Sequence, residues 1–225
     1  DNIYEIVQKI RGEAGTTVVL EVLHKGDIQS TTVEIVRREI TVPSMELTFV
    51  GDDSDIALID ITRFTEASLK QWNIKWDEVV KEIEESGVEK ILIDLRSNPG
   101  GYFDAAVYAA DDFLDAGALI SQQSDGKGNV QNYEAESGGE LIGKEVVILV
   151  DEGSASASEI FAGALQQNGA ATVVGTKTYG KGTAQSVFDL RDGSSIHITI
   201  LKWLLPDGTW LNRENSITPD VEIEN

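Results

Sequence analysis

The chain of 225 residues is 41% apolar and 25% charged with only four prolines, a globular composition that excludes wholesale disorder and allows one sizeable core, or one domain with an appendage. Its 39 acidic residues against 18 basic ones give a formal net charge of -21, so a phosphate backbone would be repelled over most of the surface and nucleic acid is not an expected partner. There is no Cys, and the two histidines, His24 and His197, lack HExxH spacing; disulfides, thiolate chemistry and a zinc site drop out, and no cofactor or metal is expected.

Residues 3–11, IYEIVQKIR, set Ile3, Ile6, Val7 and Ile10 at helical spacing before Gly12 and Gly15 break the pattern. TTVVLEVLH and TTVEIVRRE then alternate as two strands about the loop KGDIQS. A helix and a hairpin bury little apolar surface, so residues 1–38 read either as the tail end of a small domain or as elements packed on the main body, residues 39–225.

From there strand and helix alternate. IALIDI is a strand, and residues 65–87 form a helix with Leu69, Trp72, Trp76, Val79, Val80 and Ile83 on a core face. KILIDL is the next strand, followed by RSNPGG and the helix FDAAVYAADDFLDAG. ALISQ and VQNYEA flank the turn SDGKGN, and SGGELIG crosses to the strand EVVILV. A helix over about Ser158–Asn168, the strand ATVVG, and a hairpin of AQSVFDL and SIHITILKWLL complete the pattern. Short apolar strands alternating with helices predict an α/β fold with a mainly parallel sheet covered on both faces. Chemistry in such sheets collects at the carboxyl ends of strands, where RSNPGG and DEGSASAS fall. No apolar run approaches the roughly 20 residues that span a bilayer, and no leader opens the chain, which a mature or trimmed exported protein would also show.

The second loop carries three alternate serines, Ser154, Ser156 and Ser158, ahead of a helix, where Ser is also a favoured cap. A nucleophilic serine needs a base. His197 lies inside an alternating strand and His24 in the amino-terminal segment, so a lysine is the remaining candidate. With a reference pKa of about 10.4, only about one free lysine in 2500 is neutral at pH 7; a shift to about 7 takes roughly 4–5 kcal/mol, which desolvation supplies. Lys181 fits, because no Asp or Glu occurs from Gly175 to Val187 and Gly180 and Gly182 permit close backbone approach. Lys177 shares the stretch and stays open as the competitor.

LIDLRSNPGG, GSASASEIFAGALQ, VVGTKTYGKGTAQ and SITPDVEI, in the family's order along the chain and spread from about Val42 to Glu224, closely resemble the carboxyl-terminal processing peptidases, or tail-specific proteases. The resemblance implies a crotonase/Clp-protease-like core of mainly parallel sheet and flanking helices, preceded by a partial PDZ domain in residues 1–38. It implies a serine endopeptidase with Ser156 as nucleophile, Lys181 as neutral general base and Gln185 holding the lysine. The oxyanion hole it implies is built from backbone N–H groups at Ala157 and at Gly100 or Gly101. Ser154 and Ser158 become local hydrogen-bonding groups, and Glu159 favours the positive end of the helix. Substrates are unfolded or tail-exposed proteins cut near their carboxyl termini. A homodimer or a regulatory adaptor is a further expected partner, and the setting is periplasmic, cell-envelope or otherwise extracytoplasmic. The other reading is a catalytically silent peptide-binding scaffold on the same fold, and a third an acyl-CoA enzyme on the related crotonase fold.

Overall fold

The computed structural model describes residues 3–39, 42–136 and 138–223. Ser137, at the start of the predicted crossover, and Glu224, at the end of the resemblance, lie outside the described residues. The chain divides into two units, Asp1–Val42 and Pro43–Asn225.

In the first unit, helix α1 (Ile3–Ile10) precedes strands β1 (Thr17–Val22) and β2 (Thr31–Val36). The strands pair antiparallel from Thr17 opposite Val36 to Val22 opposite Thr31. The Arg37 guanidinium donates to the Ile10 carbonyl at 2.7 Å and to Thr16 Oγ1 at 2.9 Å, placing a cation on the negative end of the helix. Val19, Leu23, Ile35 and Val36 are exposed.

The second unit is built on a six-stranded sheet in the order β12-β9-β8-β5-β4-β3. Its strands are β3 (Met45–Val50), β4 (Ile56–Ile61), β5 (Lys90–Asp94), β8 (Glu145–Val150), β9 (Thr172–Gly175) and β12 (Val221–Glu222). Pairing is parallel from β12 through β4, and β3 closes the edge antiparallel to β4. The sheet is therefore mixed. Strand β3 was not anticipated, although MELTFV alternates and puts Met45, Leu47 and Phe49 in register with Ile61, Ile59 and Ala57.

Helices α2 (Leu69–Ser86), α3 (Phe103–Asp111) and α4 (Ala157–Gln167) supply the covering layer. Ser68 caps α2 by accepting from the Gln71 N–H, and the periodic residues Trp72, Trp76, Val79, Val80 and Ile83 are its buried face. The three helices meet at one aromatic cluster. Trp72 stacks on Trp76 with centroids 5.9 Å apart, and Phe161 of α4 lies 6.5 Å from Trp76 and 5.9 Å from Phe113, just beyond α3. Trp76 Nε1 donates to Asp112 Oδ2 at 2.7 Å, satisfying the buried indole.

Alternation along the strands shows that the expected cover on both faces is wrong. Ala57, Ile59, Ile61, Ile91, Ile93, Val146, Ile148 and Val150 are buried in the core shared with the helices. Leu58, Leu92, Val147, Leu149 and Val174, on the opposite face, are only half-buried. Among the described residues of this unit the helices α2, α3 and α4 converge on one side, so continuous apolarity overstated the burial.

A separate antiparallel sheet has the order β10-β11-β6-β7. It joins β6 (Leu119–Asp125) and β7 (Val130–Glu134) to β10 (Thr183–Asp189) and β11 (Ser195–Leu204) through pairing of Leu201–Leu204 with Asp125–Gln122. Both hairpins were legible; their union into one sheet was not. Among the described residues no helix is long and apolar enough to cross a membrane.

Candidate active site

Strands β5 and β8 are parallel neighbours, so the loops that leave their carboxyl ends, residues 96–101 and 151–156, emerge side by side. They are stitched together by backbone and side chain. Ala155 N–H donates to the Asn98 carbonyl at 2.9 Å, and Ser97 N–H donates to Asp151 Oδ1 at 2.7 Å. Burial works against ionised Asp151, but donors from Ser97, Gly153 and Ser154 outweigh it and hold its carboxyl below the ordinary range.

Only three non-glycine residues described have positive φ, and two lie in these loops: Ser97 at 59° and Ser156 at 61°. Ser156 has ψ of -116° and sits at the N-cap of α4, 5% exposed. Such strain persists only where surrounding contacts over-determine it, and it singles Ser156 out from its neighbours. Ser154 is wholly buried, donates to the Leu95 carbonyl at 2.7 Å and accepts from Asp151 N–H at 3.0 Å. Ser158, also wholly buried, donates to the Asn98 carbonyl at 3.1 Å. Both outer hydroxyls are structural.

The Asn98-Pro99-Gly100-Gly101 turn lies directly against the serine. A Cβ on Gly100 would fall 2.6 Å from the Ala155 carbonyl oxygen and 2.8 Å from Ser156 Cβ, at a φ of 94° that disfavours any side chain. Asn98 is wholly buried, with its amide donating to the Ile61 carbonyl at 2.5 Å and its Oδ1 accepting from Gly100 N–H at 2.9 Å. That bond occupies Gly100 N–H. The N–H groups of Gly101 and of Ala157, the latter in the first turn of α4, have no acceptor among the described residues.

Lys181 follows β9 in the loop that leads to β10. Glu159 tethers this loop to the serine. Fully buried, it accepts from Ser156 N–H at 2.8 Å, Lys181 N–H at 2.9 Å, Gly180 N–H at 2.7 Å and the Thr178 hydroxyl at 2.6 Å. The backbones of Ser156 and Lys181 thus share one carboxylate oxygen. The competitor Lys177 instead donates its amine to the Glu214 carbonyl at 2.9 Å. Gln185 lies on β10 beside a register shift and is exposed, as is Lys181, so the enclosed, desolvated setting expected for the lysine is not found among the described residues. No hydrogen bond joins Ser156 Oγ to Lys181 Nζ, or Lys181 Nζ to Gln185, among the described residues; catalytic contacts of this kind commonly tighten only with substrate present. His197 is an exposed strand residue 3.3 Å from Ser195 Oγ, and His24 is exposed in the first unit.

A cleft of about 560 Å³ lies beyond the carboxyl ends of β4, β5, β8 and β9, lined by Asp60, Asp94, Arg96, Asp151 and Ile223 among others. Ser156 is not in its wall. Burial, reinforced by Asp94 and Glu46, pushes the Asp60 carboxyl up, with Arg96 opposing. No group of three or more His, Cys, Asp and Glu residues suited to a metal occurs among the described residues.

Solved structures define the class of fold. The photosystem II D1 C-terminal processing protease superposes with a TM-score of 0.75 and 26% identity, covering all of this chain (100%) and 60% of its own. A putative S41 protease from Bacteroides fragilis, 19% identical, shares the fold with a TM-score of 0.69 over 92% of this chain and 58% of its own. Residues 55–223 match peptidase family S41, and the chain belongs to that family. The carboxy-terminal-processing protease of Bartonella bacilliformis is 32% identical over 220 residues, 98% of this chain and 50% of the relative. The carboxy-terminal processing protease CtpA of Bacillus subtilis is 34% identical over 223 residues, 99% of this chain and 46% of the relative. The resemblance read from the four sequence blocks is borne out. The chain spans about half the length of the curated relatives it matches.

Proposed function

We propose that this chain is the peptide-hydrolysing core of a carboxyl-terminal processing serine endopeptidase. Neutral Lys181 removes the proton from Ser156 Oγ as that oxygen attacks a substrate carbonyl. The ammonium so formed protonates the leaving amine, and water then hydrolyses the acyl-enzyme with Lys181 again as base. Gln185 orients the lysine amine without adding a carboxylate that would favour its charged form. Gly101 and Ala157 N–H stabilise the oxyanion, while Gly100 shapes the turn that holds them. The single observation that most supports this reading is the shared Glu159 oxygen, which brings the strained Ser156 and the Lys181 loop together and leaves Lys177 aside.

The rest of the reading is carried over from the family resemblance. Substrates are unfolded proteins or exposed tails cleaved near their carboxyl ends, in an extracytoplasmic setting. Residues 1–38 are the carboxyl-terminal part of a PDZ domain, and the core is of the crotonase/Clp-protease type. Cleavage of an unfolded protein such as casein by the wild type, Ser156→Ala and Lys181→Ala proteins tests the mechanism. Each substitution should lower kcat/KM by about a thousandfold or more. Equal cleavage by wild type and Ser156→Ala would remove the nucleophile assignment, and a wild type that cleaves nothing would favour the silent scaffold.

A further inference from the structure

Glu159 does more than cap a helix. In an ordinary capping box the residue three positions in returns one bond to the N-cap N–H, and Glu159 makes that bond to Ser156 at 2.8 Å. Three further bonds leave the helix altogether, to Thr178, Gly180 and Lys181. Each carboxylate oxygen accepts twice: Oε1 from the Thr178 hydroxyl and Gly180 N–H, Oε2 from the N–H groups of Ser156 and Lys181.

The polarity of the network is set from outside. Ile217 N–H donates to Thr178 Oγ1 at 3.0 Å, so the threonine hydrogen is directed to Glu159. Glu159 is an acceptor at all four positions, and the chain Ile217–Thr178–Glu159 ties the segment before β12 to both halves of the site. A carboxylate with no exposed surface and no paired cation among the described residues is a poor choice for stability alone, because buried charge is costly to retain. We propose that Glu159 is a positioning residue that locks the Ser156 backbone and the Lys181 loop into one reactive unit, with Thr178 relaying the hold of Ile217. The inference rests on the Ser156–Lys181 reading but is separable from it by experiment.

Glu159→Gln is the sharpest probe, since it keeps shape but must turn an amide NH₂ toward two of the four donors. In the intact chain acting on a fluorogenic peptide, kcat should fall about a hundredfold with KM changed less than about threefold, the signature of misplaced reacting groups. Amide hydrogen exchange at Gly180 and Lys181 should accelerate while the β8 amides stay protected. Thr178→Val should lose about tenfold in kcat, and Thr178→Ser, which keeps the hydroxyl, should recover most of it. Retention of wild-type kcat by Glu159→Gln, or equal rates for Thr178→Val and Thr178→Ser, would overturn the proposal. If Glu159→Gln does not fold, the threonine pair decides. Ser156→Ala separates the two readings: it should keep slow exchange at Lys181, so active Ser156→Ala sinks the mechanism while fast Lys181 exchange in that variant sinks the lock.

Discussion

The two sheets of the second unit use similar residues to different ends. In the six-stranded sheet Ile59, Ile93 and Ile148 are wholly buried, and the loops at its strand ends are fastened by buried hydrogen bonds. In the other sheet, Val187, Phe188, Ile196, Ile198 and Ile200 are all about half exposed. The proposed site straddles this contrast. Ser156 and its backbone donors belong to the buried sheet, whereas Lys181 and Gln185 stand at the threshold of the exposed hairpin. One half of the proposed chemistry is set by a core, and the other by a loop and strand with little core of their own, so a tether across the join carries unusual weight.

The contrast breaks if isoleucines in the two sheets prove equivalent. Ile93→Ala should destabilise by about 2–5 kcal/mol, because the side chain is wholly enclosed and the cavity cannot be filled by solvent. Urea unfolding followed by far-ultraviolet circular dichroism measures this. A loss below about 1 kcal/mol would mean that the sheet is far less tightly packed than its burial indicates. Gly100→Ala comes next. Its added Cβ meets the Ala155 carbonyl, so a loss of about 1–3 kcal/mol and a fall in kcat of about a hundredfold are expected together. Unchanged turnover in that variant would detach the turn from the site.

Asp112 sharpens the account of the buried side through pH. Burial pushes its carboxyl up, against the hydrogen bond from Trp76, with Asp111 and Asp77 adding to the rise. A raised acid binds its proton more tightly folded than unfolded, so lowering the pH from neutrality through its folded value toward about 3.9 adds stability from this group. Wild type should therefore gain on Asp112→Asn as the pH falls, read as the difference between their urea midpoints. A wild type that loses ground would reject burial as the governing influence. The smallest effect belongs to the exposed sheet: Ile198→Ala should change stability by less than about 0.5 kcal/mol. A larger loss, measured in the same urea titration, would show that this face is covered in solution.

Much of this was legible in sequence because it depended on local pattern. The tryptophans of α2 announce a buried stripe at helical spacing, and both do lie in the core. Two Gly- and Ser-rich loops after apolar strands point to the place where Ser156 and Gly100 meet. Non-local facts were harder to read. SIHITI alternates like a half-buried strand, yet Ser195 to Ile200 are exposed on both faces, because alternation reports pattern and not the presence of a covering layer. Glu159 read as a helix-terminus charge because its neighbours in sequence give only one of its four bonds. The other three come from a loop some twenty residues later, and no spacing rule links them. Gly100 and Gly101 were interchangeable on paper; the Asn98 side chain, itself unremarked, distinguishes them by taking one N–H.

The backbone at Ser156 carries a consequence for the history of such a chain. At φ 61° and ψ -116° the position suits glycine better than any residue with a Cβ. Selection for folding alone would drift there, so a Ser156→Gly protein should melt higher than Ser156→Ala. On the proposed mechanism a glycine here would relieve the backbone only by giving up the hydroxyl, so the serine is kept for chemistry and not for folding.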